Sequence, residues 1–203
     1  LSVAYAFGAM AHTLYLLTFP RLFSPSGLFD AGPQTAAWWY AIAQAGFVFF
    51  VIAQALVARS SWRLSRDAVR LIAVGSVIVL AAMVVGFGYG HAALPAFVDE
   101  HFAFTPLWAG RLAPLLAVLM LGGAVLVAGR LNTVSQVWLA VVLLTRALDV
   151  FTSSDLGGAR FTLGWYVSRF DTLIGAGVVL GVFLVKINEL MLRLAARSRS
   201  TAE

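Results

Sequence analysis

The 203-residue sequence lacks cysteine and has few charged residues. The absence of cysteine excludes disulfide bonds and thiolate metal sites. Only 11% of the residues are charged, whereas a soluble domain carries about 25%. The sequence also lacks a nucleotide-binding loop, a nucleophile elbow and a kinase signature. We therefore expect no catalytic residues, no enzymatic activity and no cofactor in this chain.

The sequence instead contains long runs of apolar residues. Hydrophobic residues make up 61% of the chain, and the mean hydropathy is +0.91. Four stretches contain no Asp, Glu, Lys or Arg over about 18 residues or more: residues 1–20, 31–58, 71–98 and 112–129. About 20 apolar residues cross a bilayer as a helix, and these runs do not alternate as barrel strands would. The sequence predicts an all-α, polytopic transmembrane bundle in contact with the lipid bilayer.

The runs and the loops between them predict about six helices. We place these at residues 1–19, 36–58, 71–92, 111–129, 133–153 and 164–190. Residues 1–190 would form the transmembrane domain, and residues 191–203 a linker or helical extension. Because Leu1 already lies in an apolar run with no basic region before it, we expect a chain that lacks N-terminal helices rather than a signal peptide.

The end of the last helix carries an apolar stripe that has two interpretations. Its residues follow helical spacing: Ile187, Leu190, Met191 and Leu194. One interpretation is the start of a signalling coiled coil, and the other is an amphipathic end that lies on the lipid surface. Periodicity alone leaves both open.

Basic residues predict the orientation of the bundle. One side holds Arg59, Arg63, Arg66, Arg70, Arg130, Lys186, Arg193, Arg197 and Arg199. The opposite side holds four arginines together with four acidic residues, Asp30, Asp99, Glu100 and Asp155. The positive-inside rule makes the first side cytoplasmic, so both ends of the chain would lie in the cytoplasm of a bacterium. This topology also explains the net charge of +5, so we expect no nucleic-acid partner.

Ionisable residues in the last two helices are candidates for function, because such residues are costly inside a membrane. Arg146 and Asp149 are three residues apart and share a helix face, and Arg169 begins the next helix. Arg160 lies in the loop between them. Two interpretations are a small pocket for a ligand such as an anion, and a salt-bridge network that fixes the hairpin. The three histidines fit hydrogen-bonded or outer-rim positions better than haem or zinc ligands, so no metal site is expected.

Two further patterns concern the surfaces of the helices, an aromatic belt and a pair of glycines. Six aromatic residues at the outer helix ends are typical of an interfacial belt: Trp38, Trp39, Tyr40, Trp108, Trp165 and Tyr166. Gly177 and Gly181 have the spacing of a helix-packing motif. That spacing fits either contact within the bundle or a homodimer.

Two outer segments resemble a known family. The first comprises Leu17–Pro20, Leu22–Leu28, Ala31–Trp38 and Ala45–Phe47, and the second Gly157–Tyr166 with Ser168 and Arg169. Both are similar to the fourth class of the MASE group, the bacterial membrane-associated sensor domains, over essentially the whole chain. The chain departs from the family pattern at Gln44 and Val48, where the resemblance implies a histidine and a proline.

The resemblance implies an N-terminal sensor joined to a cytoplasmic diguanylate cyclase domain, a histidine kinase or a PAS module. We therefore expect a sensory input module in the bacterial inner membrane, with a small ligand that remains to be identified. Arg160, Arg169, Trp38 and Trp165 would line one outer ligand pocket. The alternatives are a small-solute transporter or channel, and a ligand-free membrane anchor or dimerisation domain.

Overall fold

The computed structural model describes residues 1–28, 31–60, 64–90, 93–129 and 133–200. Six α-helices lie in these ranges: α1 Ser2–Thr18, α2 Gly32–Arg59, α3 Arg66–Gly90, α4 Ala113–Ala128, α5 Val134–Phe151 and α6 Leu163–Ser200. This confirms the predicted all-α class.

Four helical segments are long and apolar enough to cross a membrane. They are Gly32–Arg59, Arg66–Phe87, Trp108–Ala128 and Gln136–Leu156. The helix α1 has 17 residues, about 26 Å at 1.5 Å per residue. For α1 and α6, the crossing remains a prediction.

Three helices differ in extent from the prediction. The first turn of α2 contains Pro33, which lacks an N–H and is tolerated there. The first turn of α3 begins at Arg66, and the Ser65 hydroxyl accepts a hydrogen bond from the Ala68 N–H. Polar first turns were missed because the prediction relied on apolar runs. The helix α6 has 38 residues and runs unbroken to Ser200.

The helices pack in neighbouring pairs along the chain. The helix α1 lies on α2, α4 lies on α5, and α2 joins the two pairs through α4, while α6 lies against α5. The helix α3 is peripheral: of its described side chains, mainly Ser76 and Leu80 are buried. The core at the centre of the bundle includes Phe47, Met120 and Leu143.

Two π-helical turns face each other at one end of the bundle. Trp108–Leu112 precedes α4, and Thr152–Leu156 continues α5. The indole Nε1 of Trp108 donates a 2.9 Å hydrogen bond to the Ser154 hydroxyl, which joins the two turns. Single π-helical turns are rare and often occur at functional sites. This end of the bundle is therefore a candidate location for a functional site.

The loops at the same end form a cap over the bundle. Phe104 N–H donates to Gly158 O, and Arg160 N–H donates to Phe102 O, each at 2.9 Å. Gly158 has φ +64°, a conformation that favours glycine. The second of the two segments that carry the family resemblance is therefore held by backbone hydrogen bonds to the α3–α4 loop.

Candidate functional site

Asp149 of α5 is the centre of a buried polar network. Its side chain is 1% exposed, and its Oδ2 accepts hydrogen bonds from the Tyr40 hydroxyl at 2.7 Å and from Gln44 Nε2 at 3.1 Å. Its Oδ1 lies 3.8 Å from Arg169 Nη1. One carboxylate therefore connects α2, α5 and α6.

Arg146 reaches this carboxylate through an amide rather than directly. Its Nη1 donates a 2.6 Å hydrogen bond to Gln44 Oε1, and its guanidinium lies 4.4 Å from the centre of the Phe47 ring. Because arginine only donates and a carboxylate only accepts, a single orientation of the Gln44 amide satisfies both neighbours. Arg146 and Asp149 are therefore linked through two hydrogen bonds of the Gln44 amide, one to each side chain.

Arg169 of α6 lies between aromatic rings. Its guanidinium is 4.7 Å from the centre of the Tyr40 ring and 5.2 Å from that of Trp165. Its Nε and the Asp149 Oδ1 are buried without a hydrogen-bond partner in the part of the chain that the structure describes. Buried polar atoms are normally paired, so these two atoms make the Asp149–Arg169 contact the least satisfied part of the network.

Arg160 lies beside the network, in the cap. It is 7% exposed, donates to the Pro33 carbonyl at 3.2 Å, and lies 5.4 Å from the centre of the Phe19 ring. Burial lowers the pKa of its guanidinium to about 10; the Tyr15 hydroxyl opposes this shift, and the positive charge of Arg169 adds to it. The side chain still carries its charge at neutral pH.

The outer pocket predicted between these residues is almost closed. A cavity of about 20 Å³ lies among Tyr15, Tyr40, Trp108, Arg160 and Arg169, with other side chains around it. A space of this size holds about one water molecule. In this conformation the outer pocket has no room for an organic ligand.

The structure gathers most of the predicted site residues but not all of them. Arg146, Asp149 and Arg169 belong to the network, and Trp165 packs on Arg169 beside the small cavity that Arg160 also lines. Trp38 lies elsewhere: its ring stacks on Phe97 at 4.3 Å and its Nε1 donates to Pro95 O.

Two members of the network, Tyr40 and Gln44, were not predicted as site residues. They are four residues apart on one face of α2, and a glutamine inside an apolar run is a signal that sequence reasoning could have used. Tyr40 was instead assigned to an interfacial aromatic belt. That interpretation was wrong for the members that are at most 8% exposed and pack inside the bundle: Trp39, Tyr40, Trp108 and Trp165.

A helical membrane bundle with a buried charged network under a loop cap defines the protein class as an integral membrane domain. Comparison with known families is more specific. The MASE4 family, described as a membrane-associated sensor, integral membrane domain, matches residues 1–191, and the chain belongs to it. The resemblance found in the two family segments is thereby confirmed. No curated protein and no solved structure matches the chain.

Proposed function

We propose that this membrane sensor domain relays its signal through α6 to a cytoplasmic output domain, either a diguanylate cyclase or a histidine kinase. The observation that carries the proposal is the position of Asp149. The carboxylate holds the first turns of α6 through Arg169 and holds α2 through Tyr40 and Gln44. A change at this network would alter how α6 sits in the bundle.

The length of α6 makes it suitable for this relay. Its 38 residues span about 57 Å, nearly twice the roughly 30 Å of a bilayer core. A continuous helix moves largely as a unit, so a shift at Arg169 would reach Ser200. A ligand would switch the domain only by binding one arrangement of α6 more tightly than the other.

The predicted site residues take different roles in this proposal. Because the outer cavity holds about one water molecule, we assign Asp149, Arg160, Trp165 and Arg169 to the switch rather than to direct ligand contact. Arg146 is kept as a ligand-contacting residue. Trp38 would hold the cap on α2 through its hydrogen bond to the Pro95 carbonyl.

The proposal also includes the orientation of the chain in the membrane and its assembly into a homodimer. The basic side of the chain would face the cytoplasm of a bacterial cell, which places the end of α6 beside its output domain.

A homodimer would form along α6 at Gly177 and Gly181. A Cβ added at either glycine meets no atom within 4 Å, so another helix has room to approach closely.

The test is the output of the parent protein, measured as cyclic dinucleotide synthesis or autophosphorylation. Gln44→Leu removes the amide bridge at similar volume, and Arg169→Gln removes the α6 partner of Asp149. Each variant should change basal output several-fold. Gln54→Leu, a matched change at an exposed position of α2, should leave output unchanged. Wild-type output from both network variants, inserted in the membrane at wild-type levels, would refute the relay.

A further inference from the structure

A groove of about 690 Å³ opens between α1, α5 and α6, apart from the small outer cavity. Most of its lining is apolar, including Val142 of α5 and Ala176 and Leu180 of α6. Its polar lining includes Thr145 and Arg146 of α5. Binding sites for small molecules have this size and this mixture of apolar walls and few polar groups.

Arg146 gives the groove a positive charge and hydrogen-bond donors. Among the described residues, no carboxylate lies within ion-pair distance of its guanidinium, and its hydrogen bond is to the neutral Gln44 amide. That bond uses Nη1, whereas a guanidinium has five N–H groups in all. A ligand group that accepts hydrogen bonds would satisfy these donors, and buried charges are stabilised by such partners.

The depth of Arg146 limits what can reach it. The residue lies ten positions from each end of the apolar span Gln136–Leu156, or about 15 Å along the helix. A charged solute would have to leave water to arrive there, at a high free-energy cost. A molecule dissolved in the bilayer, with an uncharged oxygen acceptor, meets no such barrier.

We propose that this groove binds an apolar, membrane-dissolved molecule whose carbonyl oxygen accepts a hydrogen bond from Arg146. Two sources share that chemistry, an isoprenoid-type quinone and a protonated long-chain carboxylic acid. The inference rests on the proposed function, because it names the ligand class to which the switch responds. The link is direct: Arg146 bonds Gln44, Gln44 bonds Asp149, and Asp149 contacts Arg169 of α6.

The ligand would also touch α6 itself. Thr172 and Ala176 line the groove opposite α5, within two turns of Arg169. Occupancy would therefore favour the spacing of α5 and α6 that the ligand fits best, and would compete with Gln44 for the guanidinium of Arg146. Both effects act on the contact between Asp149 and Arg169.

Photolabelling of the full-length protein in lipid nanodiscs tests the site without using output. One arm uses a diazirine-bearing short-chain quinone, and the other a diazirine-bearing long-chain fatty acid, with peptide mapping by mass spectrometry. We expect saturable labelling within residues 141–146 and 172–183, competed by the unlabelled form of the same probe. The arm that labels at lower concentration identifies the source of the carbonyl.

Matched variants separate the groove from the general lipid surface. Ala176→Phe fills the groove and should abolish the saturable labelling, whereas Ala82→Phe, at an exposed position of α3, should not. Arg146→Gln should weaken labelling about tenfold, the size expected for one hydrogen bond to a charged group.

Three outcomes would overturn the proposal: no labelling in the groove by either probe, labelling that unlabelled probe does not compete, and equal labelling in Ala176→Phe. The first is expected if another helix covers the groove, and the second if ordinary lipid fills it. Failure here with altered output in Gln44→Leu would leave the relay intact. Saturable labelling with unaltered output in the network variants would support the site and refute the relay.

Discussion

At the scale of single residues, the bundle depends on one buried carboxylate. Burial removes water from the Asp149 carboxylate. The Tyr40 hydroxyl, the Gln44 amide and the guanidinium of Arg169 stabilise its charge in place of that water. Removing one partner of a buried ion pair costs far more than the pair contributes, because the other charge is left uncompensated. The partners of Asp149 are therefore closely interdependent.

Asp149→Asn should lower the free energy of unfolding by about 3–5 kcal/mol, because it leaves Arg169 without its counter-charge. Thermal unfolding of the purified chain in detergent measures the effect. Asp67→Asn is the control: Asp67 pairs with Arg70 at the surface, where both side chains are more than three-quarters exposed, and little change is expected. Equal unfolding temperatures for the two variants would show that the Asp149 pair is not buried as described.

Sequence reasoning found the charged members of this network but not the neutral ones. Arg146, Asp149 and Arg169 stand out because charge is rare in apolar helices. Tyr40 and Gln44 carry no charge, and their role depends on how α2 is rotated about its axis. Pairwise helix packing fixes that rotation, and a single sequence does not reveal it.

At the scale of helices, close contact between α1 and α2 depends on a missing side chain. A Cβ at Gly46 would overlap the ring of Phe7, which packs edge-on against Phe50 at 5.4 Å. Gly46 belongs to one of the segments that carry the family resemblance. Its conformational freedom is not needed in a helix, so the reason for glycine here is the proximity of the neighbouring helix.

Gly46→Ala should destabilise the chain. The overlap with Phe7 costs about 1–3 kcal/mol, which exceeds the roughly 0.5–1 kcal/mol that alanine adds to a helix. Gly75→Ala on α3, where a Cβ meets nothing within 4 Å, should be neutral or stabilising. The unfolding temperatures of the two variants test this close packing. If Gly46→Ala were as stable as Gly75→Ala, α1 and α2 would have to lie further apart than the structure shows.

Helix ends and π-helical turns were less predictable than the helices themselves. The four charge-free apolar runs locate α1 to α4, because hydrocarbon selects for length and composition. The π-helical turn at Trp108 follows instead from a tertiary contact, the hydrogen bond from its indole to Ser154. No local pattern predicts a contact between residues 46 positions apart.

At the scale of the whole molecule, the cap, the network and α6 form one continuous path. Within the cap, the α3–α4 loop is joined to the second family segment through the backbone of Gly158 and Arg160, and Arg160 and Arg169 line the same small cavity. From Arg169 the helix α6 continues to Ser200. In the proposed relay, a disturbance at the cap would act on Arg169, which contacts Asp149, and a ligand in the groove would act on the same carboxylate through Arg146 and Gln44.

The most direct test of this account is a distance between α2 and α6. Because the 203-residue chain has no cysteine, spin labels on cysteines introduced at the exposed positions Leu56 and Met191 would report on these two helices alone. In nanodiscs, Asp149→Asn should shift or broaden the distance distribution by at least about 2 Å, the scale of helix movements in switching proteins. Asp67→Asn should leave it unchanged. Identical distributions for Asp149→Asn and the wild type would contradict the claim that this carboxylate sets the position of α6.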